Sequence, residues 1–352
     1  MAKYKFFKKL LPVLLLVYLI ALAACNSGTP AAPDDDTRDQ GIAGSTLVIY
    51  STFTTNFTEP IIRMFEERYN VTVEILLDDI GPTIARLRME ADNPQADIMW
   101  GGNLFSLIPE LDLFEDFTSA NEPYMAPGQE NTEGAITRFI TNIGVLMVNT
   151  SLLGDIQIYG YACLLNPALS GQIAIADPSA TVSSFNHLAN QLFAMGNNNP
   201  HAGWEYMRQF IINVNGIILP SPDAVHQGVA NGEFIVGLTY EDAVIAHITS
   251  GAPVKKVYVE EGIIAAPTGV AIVKDAHNRE AAEAFIDFVT SYEIQLFVQS
   301  NLLKRAVRHD VASTGIFTAN ASLTWISADT TYILSHRDTW VDNFFELWMA
   351  HH

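Results

Sequence analysis

The chain is expected to fold as an α/β protein of two doubly wound lobes, and three observations point there. A strand–helix–strand–helix–strand order runs through residues 46–100. The same alternation returns further along without a fixed-period repeat. The chain has 352 residues, 49% of them hydrophobic, enough for two cores of ordinary domain size.

Thr46-Leu-Val-Ile-Tyr50 is an apolar, β-branched run ending in the polar Ser51-Thr52, the pattern of a buried strand. Pro60 opens a helical pattern, with Ile61, Ile62, Phe65 and Tyr69 on one face and Arg63, Glu66 and Glu67 on the other. Residues 71–77 alternate as a second strand. Gly81-Pro82 begins another helix carrying Ile84, Leu87 and Ala91. Asp97-Ile-Met-Trp100 is a third strand, stopped by Gly101-Gly102. Further strands are read at 144–148, 173–176, 234–238 and 270–273. Helices are read at 184–195, 202–212 and 222–230, with a long one from Arg279 to about Ser300.

Composition narrows the function. Nineteen Lys and Arg against thirty-nine Asp and Glu give a net charge of −20, which repels a phosphate backbone and argues against nucleic acid as a partner. Two cysteines, Cys25 and Cys163, are too few for a disulfide framework or a multi-thiolate zinc site. Cys163 is read as a buried small hydrophobe.

Lys3, Lys5, Lys8 and Lys9 lead an uninterrupted apolar run from Leu10 to Ala24. That run is shorter than the ~20 residues of a spanning helix and has the anatomy of a secretory signal peptide. Its end, Leu22-Ala23-Ala24-Cys25, resembles the lipobox of bacterial lipoproteins. The resemblance implies cleavage before Cys25, lipidation of its thiol and attachment to the outer face of the cell membrane, in the periplasm if an outer membrane is present. The competing reading is an uncleaved anchor. Removing the leader takes four lysines and no acid, leaving fifteen basic against thirty-nine acidic residues and a net charge of −24. Residues 25–45 then form a lipidated cysteine and a flexible spacer containing Asp34-Asp35-Asp36.

Several stretches, in order along residues 46–310, are similar to the extracellular solute-binding proteins of ABC importers. They include Asp97-Ile-Met-Trp-Gly-Gly102, Leu164-Leu-Asn-Pro-Ala-Leu-Ser-Gly-Gln-Ile173 and Ala176-Asp-Pro178. Next come Gly228-Val-Ala-Asn-Gly-Glu-Phe-Ile-Val-Gly-Leu-Thr-Tyr-Glu-Asp242, then Gly269-Val-Ala-Ile-Val-Lys-Asp-Ala276 and Asn278-Arg-Glu-Ala-Ala282. The nearest branch holds ferric-iron, thiamine, phosphonate and sugar-phosphate binders. The resemblance implies a type 2 periplasmic-binding-protein fold, two lobes joined by a two-strand hinge. Residues 46–140 plus 266–352 are assigned to lobe one and 141–265 to lobe two. It also implies a monomer that closes around one small solute and hands it to an ABC permease with its ATPase.

Candidate site residues sit at strand ends and helix starts, where ligands of open α/β sheets collect. Ser51 and Thr52 offer hydroxyls, or else cap a turn. Gly101 and Gly102 let backbone N–H groups approach an anion. Ser183 and Ser184 open a helix within the hydroxyl-rich Asp177-Pro-Ser-Ala-Thr-Val-Ser-Ser184, an arrangement suited to an anion or to ordinary capping. Ser221, before Pro222, has a weaker form of the same claim. Tyr240, Glu241 and Asp242 end a strand with one aromatic and two carboxylates, as ligand contacts or as acids at a helix N-terminus. His187 and His226 are read as packing or surface residues, and Lys304, Arg305 and Arg308 stay outside the site. Ferric binders of this branch carry adjacent tyrosines near here; this chain has Tyr240 followed by Glu241, which demotes iron.

The function expected is a binding protein for a phosphorylated or phosphonylated organic anion, with no cofactor. The alternatives are a ferric-iron or thiamine receptor of the same family, or a sensor presenting solute to a membrane kinase. No serine-hydrolase elbow, zinc-protease helix or phosphate loop occurs in the chain, so no enzyme is expected.

Overall fold

The computed structural model describes residues 41–312 and 315–351; the expected leader, Cys25 and most of the acidic spacer lie outside the described residues. The first lobe opens with β1 (Thr46–Ser51), α1 (Thr55–Tyr69), β2 (Thr72–Leu77), α2 (Ile80–Met89) and β3 (Ile98–Asn103). A short α3 (Leu104–Leu107), β4 (Phe114–Glu115) and β5 (Thr137–Asn142) follow. The chain crosses at Ile143 into β6 (Gly144–Asn149), β7 (Ile173–Ala176), α4 (Val182–Met195), α5 (Pro200–Val214), β8 (Ile218–Leu219) and α6 (Pro222–Asn231). The second lobe is completed by β9 (Val236–Tyr240), α7 (Glu241–Thr249) and β10 (Val254–Val257). The chain returns through β11 (Ile263–Ile264) into β12 (Ala266–Val273), α8 (Arg279–Val289), α9 (Tyr292–Asn301) and β13 (Arg305–Ala306). It ends with β14 (Trp325–Ile326) and α10 (Thr330–His351).

The first sheet has the order β13-β5-β12-β3-β1-β2, with β4 beside β12. β1 runs parallel to β2 and β3, whereas β12 is antiparallel to β3 and β5. The second sheet, β10-β6-β9-β7-β8, is parallel across β8-β7-β9 and antiparallel across β9-β6-β10. Each lobe is thus doubly wound on one half. On the other half, the strands next to the crossovers run against the rest.

The strands read as continuous apolar runs because helices cover both faces of the first sheet. Leu47 and Ile49 of β1, Ile98 and Trp100 of β3, and Val270 and Ile272 of β12 face one core with Phe65, Phe139 and Phe285. Tyr50, Met99 and Ala271, one residue out of phase, face the opposite core with Leu87, Leu104 and Leu107. This is the two-residue period of a strand applied to two buried surfaces. Each large side chain so buried contributes roughly 1.5–3 kcal/mol.

Several local expectations need correction. α1 begins at Thr55 rather than Pro60; Pro60 lies inside the helix, early enough that it forfeits only the bond to the Asn56 carbonyl. β3 continues through Gly101 and Gly102, which take φ of +109° and +80°, a left-handed backbone open to glycine. The long helix expected over 279–300 is two helices. Thr290 turns its hydroxyl back to the Ile286 carbonyl at 2.7 Å, and Ser291 caps the second helix by accepting from Ile294 N–H. Cys163 is half-buried against the second core, not fully buried.

Two boundaries carry added detail. Ile42, within the stretch read as spacer, is buried in the first core, and Gly44 N–H donates to the Asn70 carbonyl at 2.7 Å. In the tail grouped by sequence with lobe one, α8 and α9 complete the first core, but α10 lays Ile333, Trp340 and Phe344 into the second. β11 and β14 pair in parallel, tying the returning crossover to this tail. Among the described residues, no helix is long and apolar enough to cross a membrane.

Candidate functional site

A cavity of about 420 Å³ lies where the two lobes meet. Its floor is the crossover chain, Asn142 to Gly144 and Ile264 to Pro267. Lobe one contributes Asn103, Leu104, Phe105 and Lys304; lobe two contributes the first turns of α4 together with Tyr240 and Asp242. Thr330 and Ile333 of α10 close one side.

The start of α4 is sorted by its cap. Thr181 is the N-cap: its hydroxyl accepts from Ser184 N–H at 3.1 Å and lies 2.9 Å from the Ser184 hydroxyl. Ser184 is therefore buried and committed to the helix end. Ser183 lines the cavity, and its hydroxyl has no hydrogen-bond partner among the described residues. Asn186 and His187 follow on the same face at helical spacing. Asn190, one turn deeper, is spent on structure. Its amide donates to the Tyr161 hydroxyl at 2.8 Å and the Gly262 carbonyl at 3.2 Å, and its oxygen accepts from Ile264 N–H at 2.5 Å.

His187 is buried against Gly144, where an added methyl would press on the imidazole ring. Burial pushes its pKa down to about 4 against a partial counter-effect from a backbone hydrogen bond at Thr239, so the ring is neutral, and Nδ1 has no hydrogen-bond partner among the described residues. A histidine depressed in the folded state stabilises fully above its ordinary value of 6.5 and loses that contribution as pH falls toward 4. Over that window the loss is about 3 kcal/mol. His187→Asn is expected to flatten the acid limb of the stability curve, as checked by urea unfolding at pH 7 and pH 4.5. Equal acid losses in both proteins would contradict this assignment.

Tyr240 lies at the lip of the cavity. Burial first, then the charges of Asp242 and Asp223, push its pKa up to about 12, so it presents a neutral phenol that donates. The two acids after it part company. Asp242 lines the cavity and pairs with Lys304. Glu241 turns inward and is clasped by Arg305, with Nε at 2.7 Å and Nη2 at 2.8 Å from its two oxygens. Lys256 Nζ stands 2.9 Å away and the Tyr258 hydroxyl donates to the same carboxylate.

Of the residues expected at the site, Ser183, Tyr240 and Asp242 converge on the cavity, and the others do not line it. Ser51 is fully buried and its hydroxyl accepts from Phe53 N–H at 3.2 Å. Thr52 accepts from Gly102 N–H at 2.9 Å, and its hydroxyl fills the space a Cβ on Gly101 would need. Thr52, Gly101 and Gly102 thus tie the ends of β1 and β3 together, while the Ser51 hydroxyl turns back on its own segment. Ser221 caps α6, accepting from Ala224 N–H at 3.2 Å.

Lys304, left out on sequence grounds, is in the cavity wall, whereas Arg308 pairs with Asp310 and stacks on Tyr124. Asn103, Asn142 and Asn186 were missed. Asn103 Oδ1 caps α3 through Ser106 N–H at 3.1 Å, leaving its amide NH2 for the cavity. The spacing Ser183-x-x-Asn186 was a usable signal for one of the three. Nothing local marks Thr330 or Ile333.

A family model described as bacterial extracellular solute-binding protein matches residues 46–301. An uncharacterized protein of Haemophilus influenzae is 27% identical over 264 residues, 71% of this chain and 74% of that protein. The chain is similar in structure to the periplasmic binding protein AfuA of Actinobacillus pleuropneumoniae, solved with fructose-6-phosphate bound. The TM-score is 0.67 at 24% identity, over 87% of this chain and 99% of that one. A ferric binding protein of Bordetella matches with a TM-score of 0.73 at 17% identity, over 86% of this chain and 98% of its own. At these identities the likeness to the solved structures is one of fold.

Proposed function

The chain belongs to the bacterial extracellular solute-binding proteins, and on that premise we propose that its cavity captures a small phosphorylated or phosphonylated organic anion for an ABC permease and its ATPase. The observation that carries this reading is the start of α4. An uncommitted Ser183 hydroxyl stands at the positive end of a helix, beside the cavity that Lys304 enters from the other lobe. Asn103, Asn142 and Asn186 add amide groups suited to phosphate oxygens or sugar hydroxyls. A volume of about 420 Å³ is within the usual range for small-molecule pockets.

The strongly acidic surface does not oppose such a ligand decisively, because distant charges are screened over about 8 Å at physiological salt. The AfuA likeness agrees with a sugar-phosphate class without fixing it. A ferric reading is less supported. The one carboxylate lining the cavity is already paired with Lys304, and among the described residues no three His, Cys, Asp or Glu side chains group to hold a metal. Attachment to the membrane through Cys25 completes the proposal.

Titration calorimetry with fructose 6-phosphate, methylphosphonate, thiamine phosphate and ferric citrate tests the reading. Phosphate-ester or phosphonate binding is expected, with Ser183→Ala weakening it about tenfold, the value of one hydrogen bond to a charged group. Heat from ferric citrate alone would overturn it.

A further inference from the structure

Two adjacent acids of lobe two, Glu241 and Asp242, face two adjacent bases of lobe one, Lys304 and Arg305, across the crossover chain. Arg305 is paired in register with Thr141 near the end of β5, and Tyr240 with Gly144 at the start of β6. The four charges therefore straddle the point where one lobe becomes the other. Their surroundings differ sharply. The Arg305 and Glu241 side chains are 1% and 4% exposed; those of Lys304 and Asp242 are 30% and 22% exposed and line the cavity.

We propose that Asp242 and Lys304 form a latch inside the ligand cavity, and that a solute is retained by exchanging its own anionic group for the Asp242 carboxylate on Lys304. The inner pair is dry, bidentate and reinforced by Lys256, so it acts as a fixed pin at the pivot. The outer pair is wet and screened, so another anion can compete for it. The exchange is asymmetric in a useful way. Asp242 keeps a fallback, because its other oxygen accepts from Ala243 N–H at 3.0 Å in the first turn of α7. The Lys304 ammonium has no second partner among the described residues, so an incoming anion replaces the only counter-charge it loses. The latch makes Asp242 a specificity-determining residue. An anion too weak to outbid a carboxylate is refused, and one that also offers a hydroxyl to the released Asp242 is favoured.

This inference rests on the anion reading above, and its test separates the two. Hydrogen exchange is measured on the ligand-free full chain of wild type, Lys304→Gln and Asp242→Asn, with Arg63→Gln, which breaks only an exposed pair with Glu59, as control. Both latch variants are expected to raise exchange severalfold in peptides covering 182–190 and 263–267; the control is expected to raise none. Calorimetry with fructose 6-phosphate and methylphosphonate is expected to give opposite signs: Lys304→Gln about tenfold weaker, Asp242→Asn about two- to fivefold tighter, the factor a partly exposed pair is worth. Unchanged exchange in both variants overturns the latch whatever the ligand. Equal weakening by both variants overturns the exchange of anions. If wild type binds neither probe, the ligand class falls, and the anion exchange with it, while the exchange data still decide whether the latch exists.

Discussion

Replacing Glu241 by glutamine is expected to cost about 3–5 kcal/mol of folding free energy, the toll of breaking a buried ion pair by removing one partner. The loss is large because two cations converge on this carboxylate. Without it, neither Arg305 nor Lys256 keeps a carboxylate partner among the described residues, and two buried positive charges face each other uncompensated. Burial alone would raise the Glu241 pKa, but the hydrogen bonds and charge of Arg305, then Lys256, carry it below its ordinary value. A carboxylate depressed in the folded state contributes fully above its unfolded pKa and loses that contribution as pH falls through the folded one. Acid unfolding of wild type should therefore include a step below pH 4.5 that Glu241→Gln lacks. Urea midpoints at pH 7 provide the primary measurement, and a loss under about 1 kcal/mol would remove the pin from the account.

Trp340→Ala should produce an effect of the same size for a different reason. Trp340 is buried on α10 among Phe185, Phe193, Tyr332 and His336, with ring centroids 5.6–6.3 Å away. Deleting an indole from such a cluster costs about 3–5 kcal/mol through lost burial and the cavity left behind. It should also weaken ligand binding, because Thr330 and Ile333 on the same helix line the cavity. Thermal unfolding and calorimetry on one preparation measure both effects. A destabilised variant with wild-type affinity would show that α10 supports the second lobe without shaping the site.

What was legible in the sequence was local. Leu47, Ile49, Ile98 and Trp100 announce strands because a short continuous apolar run survives inspection one stretch at a time, whereas the division of each run between two cores does not. Ser183 was found at a helix start. Ser184, its neighbour, offered the same hydroxyl and the same position, yet Thr181 commits it to the cap. Glu241 and Asp242 are likewise equivalent by sequence, two acids in one first turn. Only Arg305, 64 residues away, turns one into a pin, and no local pattern carries that contact. The same holds for α10, where the partners of Trp340, Phe185 and Phe193, sit in α4, roughly 150 residues earlier in the chain.

The interleaving of the lobes has a consequence for the newly made chain. β3 finds one neighbour in β1 at once, but its other neighbour, β12, begins at Ala266. The second lobe waits for Trp340 and Phe344. A polypeptide emerging from its N-terminus can finish neither half early, since each lacks a piece supplied near the end. Neither core is complete until the segments that close it, β12 for the first and α10 for the second, have been made.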